Sequence, residues 1–60
     1  MTVIKSITEA KFRVELVENS KGRYLVRYEQ NEKTTTCEPV VDYLVATMLF
    51  DIKLQELQGH

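Results

Sequence analysis

Apolar and polar residues alternate along the first half of the chain and then change to a helical period. In residues 11–18, KFRVELVE, Phe12, Val14 and Leu16 fall on one side. Lys11, Arg13, Glu15 and Val17 fall on the other, the period-2 pattern of a half-buried strand. Residues 23–29, RYLVRYE, repeat it, with Tyr24, Val26 and Tyr28 against Arg23, Leu25, Arg27 and Glu29. Between the two runs lies Asn19-Ser20-Lys21-Gly22, a turn cluster whose glycine accepts positive φ. The pattern predicts an antiparallel hairpin with the aromatic set facing a core. Gln30-Asn31-Glu32 supplies a second turn. Residues 33–38, KTTTCE, are rich in β-branched threonine and suit a third strand with Thr35 and Cys37 inward. Pro39, lacking a donor N–H, ends that strand.

From Val40 to Gln58 the period becomes that of one helix, with Asp42 placed to act as N-cap and Gly59 as the C-terminal stop. At about 100° per residue its apolar residues form two stripes rather than one. Val41, Leu44, Val45, Met48, Leu49 and Ile52 make the broader stripe; Tyr43, Ala46, Phe50, Leu54 and Leu57 make the other. A helix at the surface of a small domain needs one apolar stripe and a polar back. The broader stripe is expected on the sheet, leaving Tyr43, Ala46, Phe50, Leu54 and Leu57 outward as a protein interface. Two covers are open to that outer stripe: a partner, foremost a second copy of the chain, or residues 1–10 through Val3, Ile4 and Ile7. Thr2 to Ile7 suit a strand, whereas Ser6-Ile7-Thr8-Glu9 matches a capping box and a single helical turn.

The expected architecture is α+β: a three-stranded antiparallel meander followed by one C-terminal helix packed on one sheet face (β-β-β-α), with residues 1–60 as a single small domain. Sixty residues bury only about 60% of the unfolded chain's surface, so such domains lean on a disulfide, a metal, oligomerisation or very good packing. Cys37 is the only cysteine and His60 the only histidine, which removes an internal disulfide and a structural zinc site. Self-association therefore fits the size as well as the helix. With 43% hydrophobic and 28% charged residues the chain is globular in composition. The net charge of −1 supplies no overall field toward nucleic acid or membrane. No basic leader followed by a long apolar run opens the sequence, and no apolar run reaches membrane length; with a lone thiol, a cytoplasmic setting is expected.

Candidate chemistry is sparse. Lys11, Arg13, Arg23 and Arg27 lie on the sheet face away from the helix and are the candidates for nucleic-acid contact. The order of three strands and a helix resembles the arm-binding domains of tyrosine recombinases and the plant AP2-type domain, a likeness of element order alone. Three-stranded sheets of this kind can place side chains in the major groove. Glu15 and Glu29 share that face and repel phosphate; if Arg13 and Arg27 flank Glu15 across the hairpin, they form simple cross-strand charge pairs. Cys37 has no histidine positioned to activate it and suits burial. The carboxylates are scattered, and no phosphate-loop, dinucleotide or zinc-protease motif occurs. No catalytic residues, metal ligands or cofactor are expected, and no small-molecule substrate is evident. The sequence reads as a non-catalytic protein–protein interaction or adaptor/regulatory domain, homodimeric through its helix, with nucleic-acid binding as the alternative.

Overall fold

The structure, a computed structural model, describes residues 1–59. The chain forms β1 (Thr2–Thr8), β2 (Phe12–Glu18), β3 (Tyr24–Gln30), β4 (Lys33–Thr36) and α1 (Tyr43–Leu57). All four strands join one antiparallel sheet in the order β1-β2-β3-β4. The α+β meander and its C-terminal helix are as expected, with one strand more.

The extra strand is β1. It pairs with β2 from Thr2–Glu18 to Thr8–Arg13, so Ser6-Ile7-Thr8-Glu9 opens no helical turn. Six of its seven residues are exposed and the ladder shifts register between Val3 and Lys5. Ile4 is thus an extra residue that breaks strict alternation, the habit of a bulge. That break, together with weak burial, hid the strand from the period-2 signal.

The turns show why the strands end where they do. Asn19 Oδ1 accepts from the N–H groups of Lys21 (2.9 Å) and Arg23 (3.0 Å), and Gly22 follows at φ 75°. Asn31 and Glu32 both take positive φ (55° and 65°), and Gln30 pairs with Lys33 across them. That is the left-handed two-residue turn whose twist suits a hairpin. β4 stops at Thr36, two residues short of the expected end, but Cys37 N–H still donates to Val26 O (2.9 Å). Beyond Pro39 the chain returns to β3: Val40 N–H donates to Tyr24 O (2.7 Å) and Tyr24 N–H to Val40 O (2.8 Å).

The helix begins at Tyr43, with Asp42 Oδ1 accepting from Leu44 N–H at 2.8 Å, the N-cap bond that satisfies a free first-turn donor. It ends at Leu57, where Gln58 caps and Gly59 turns away at φ 84°. The core lies between α1 and the central strands. Phe12, Val14 and Leu16 of β2 and Val26 of β3 pack with Ala46 and Phe50 of α1, and Ile7, Tyr24, Tyr28, Cys37, Val40, Leu54 and Leu57 fill its margins.

Candidate interaction surface on the helix

The structure reverses the expected phase of α1. Ala46 and Phe50, expected to face outward, are 0% and 1% exposed and belong to the core. Leu54 and Leu57 pack against that core. Tyr43 keeps part of its surface in solvent, and its ring meets Tyr24 edge-on, with centroids 5.2 Å apart. Ala46 and Phe50 are therefore core residues with Leu54 and Leu57 packed against them, and cannot form an outward interface, while Tyr43, 45% exposed, stands at the edge of this contact.

The cause is the way the chain leaves the sheet. The Val40–Tyr24 bridge pins the segment to β3, and the Asp42 cap starts the helix two residues later. Tyr43 then stands against Tyr24, and residues three, seven, eleven and fourteen positions on follow it to the same side. Ala46, with nothing beyond Cβ, lets the helix sit close to the sheet, and Phe50 fills the centre. Two lysines border this contact. Lys5 Nζ lies 5.1 Å from the centre of the Phe50 ring, and Lys53 Nζ lies 4.6 Å from that of Tyr28. Lys53 also donates to Glu56 at 2.8 Å, and this bond holds its ammonium pKa above the ordinary lysine value.

The broader stripe is left in solvent. Val41 is 72% exposed, Leu44 69%, Met48 62% and Ile52 51%, and Val45 and Leu49 are exposed as well. Together the six present on the order of 500–600 Å² of surface, at the top of the range for the largest apolar patch on a monomer. Residues 1–10 do not cover it: β1 extends the sheet, Val3 and Ile4 are themselves exposed, and Ile7 packs instead against the core that holds the other stripe. β1 also occupies the outer edge of β2, so one free edge of the sheet lies on β1.

The second candidate surface is the sheet face opposite the helix. Arg27 forms an ion pair with Glu15 at 2.8 Å and Arg13 one with Glu29 at 3.3 Å, each across the β2–β3 ladder. Cations and anions thus alternate in a small square. A hollow of about 460 Å³ lies over it, lined by Arg13, Glu15, Arg27, Tyr28, Glu29 and Thr34. Lys11 and Arg23 stand at opposite ends of β2, in the turns before and after it, so the four basic residues do not converge. On the same face Val17 and Leu25 pair with each other and are buried, an apolar patch that the alternation pattern had assigned to solvent.

Cys37 is half-buried at the edge of the core. Among the described residues no group of three or more His, Cys, Asp or Glu is placed to hold a metal ion, and no helix is long and apolar enough to cross a membrane. His60 lies outside the described residues. Comparison with protein-family models, with curated proteins and with solved structures gives no match.

Proposed function

We propose that this chain is a non-catalytic interaction domain, an adaptor or regulatory module of the cytoplasm, that assembles as a homodimer through the outward face of α1. The observation that carries the reading is the exposure of Leu44, Val45, Met48, Leu49 and Ile52 on one contiguous helical face, with Val41 exposed just ahead of the helix, opposite the face that builds the core. A large apolar patch on a small domain marks a surface that is covered in the working state. Burying it in a dimer also relieves the shortage of core that a 60-residue chain faces. The nucleic-acid alternative is weakened by the pairing of Arg13 and Arg27 with Glu29 and Glu15, which cancels the charge that phosphate would need.

Sedimentation equilibrium over a concentration series tests the reading. The expected result is a dimer at high concentration that added salt does not dissociate, and a folded monomer on Met48→Glu. A wild-type chain that stays monomeric throughout the series overturns it.

A further inference from the structure

Taking the homodimer as its premise, the geometry points to a crossed pair: we infer that two copies of α1 meet face to face at a steep angle, centred on Val45 and Met48, with the two sheets outermost. The five exposed apolar residues within this face of α1 fall into two rows at a spacing of four, Val45-Leu49 and Leu44-Met48-Ile52, with Val41 just ahead of the helix. Two such neighbouring ridges enclose a groove. The ridge of a second copy seated in that groove sets the helix axes at about −50°, the commonest packing angle between helices in globular proteins.

The outline of the patch agrees. From Leu44 to Ile52 it runs about 12 Å along the axis at 1.5 Å per residue, and it spans about 140° of the circumference, or about 13 Å of arc. A patch about as wide as it is long suits a crossing, whereas an aligned coiled coil uses a narrow seam sustained over several heptads. Two copies bury at most about 1,100 Å² in all, near the lower bound of specific interfaces and in keeping with a reversible dimer. One face meeting its own copy is also the isologous arrangement that closes at two subunits.

Charge places the same constraint. The border of the patch carries Asp42, Asp51 and Glu56, and the one cation of the helix, Lys53, is engaged by Glu56. Two aligned helices set these carboxylates beside one another along the whole contact, whereas crossed helices diverge toward their ends. The remaining repulsion is screened by salt. Self-association therefore tightens as salt rises, the reverse of what a basic partner on the same face would show.

Single-cysteine variants in a Cys37→Ser background test the geometry, read as interchain disulfide under mild oxidation beside the solution mass of each variant. Val45→Cys and Met48→Cys are expected to cross-link readily. A mixture of Val41→Cys and Ile52→Cys is expected to cross-link poorly, because diverging ends carry their Cα atoms beyond disulfide reach. A dimer that links Val41→Cys to Ile52→Cys and resists linking at Val45 and Met48 overturns the crossing while leaving the dimer intact. A monomer in every variant and in the parent removes the premise itself. Association that weakens with salt overturns the charge argument.

Discussion

The two faces of α1 are nearly equal in apolar character and opposite in fate. The inward face has Ala46 and Phe50 fully buried, with Tyr43, Leu54 and Leu57 around them. The outward face has five apolar residues, none of them buried, with Val41 exposed just ahead of them. The outward stripe covers more of the circumference, yet it is not the one on the sheet. Apolar content alone does not decide which stripe a domain takes inside. The fit of one small residue and one large ring against the sheet, and the point at which the chain leaves β3, decide it here.

Substitutions of matched kind on the two faces measure that difference. Phe50→Ala removes the central ring of the core and is expected to cost about 3–5 kcal/mol, a large part of the stability of so small a domain, by urea or thermal unfolding. Leu44→Ala, read at a dilution where the chain is monomeric, is expected to shift stability by no more than about 0.5 kcal/mol. If the two costs came out reversed, the helix would sit in the opposite phase. Ala46→Leu sharpens the point, since added bulk beneath the helix is expected to cost about 1–3 kcal/mol by overpacking, whereas Val45→Leu on the outer face leaves the monomer unchanged.

The two ion pairs on the open sheet face rank next. Arg27–Glu15 is the more sheltered pair, with side chains 31% and 15% exposed, and Arg27→Ala is expected to cost about 1 kcal/mol; Arg13→Ala, at a pair open to solvent, costs less than about 0.5 kcal/mol. Equal losses at both would show that shelter makes no difference there. The smallest effect belongs to Lys53 and Glu56. The pKa of Lys53 is raised in the fold by its bond to Glu56, so its contribution is present in full below the unfolded value and is lost as pH climbs through the folded one. Glu56→Gln should therefore lower the melting temperature slightly at neutral pH, and the gap between the two proteins should close in alkaline buffer. A gap independent of pH would assign the loss to packing.

The strands that alternate strictly were legible. Phe12, Val14 and Leu16 face the helix as their spacing implied, and Tyr24, Val26 and Tyr28 join them. A cross-strand charge pair between Arg27 and Glu15 was readable, whereas that of Arg13 with Glu29 follows from the register the hairpin adopts. β1 was not, since a bulge at Ile4 breaks its period and its faces are barely buried. Val17 and Leu25 were placed in solvent because period 2 gives each strand one wet face, and nothing local tells that one end of that face is sheltered.

The meander, the helix with its Asp42 cap and Gly59 stop, and the existence of two apolar helical stripes follow from residue order. These are local matters, fixed by residue spacing, backbone preference and the bonds that neighbouring residues make. Which stripe became the core was settled by long-range packing. The Val40–Tyr24 bridge sets the angular phase of the helix from a strand sixteen residues upstream, and a rotation of half a turn exchanges the core for the surface. Periodicity measures angles between residues on one helix and carries no reference to the sheet, so that choice has no signature in the pattern.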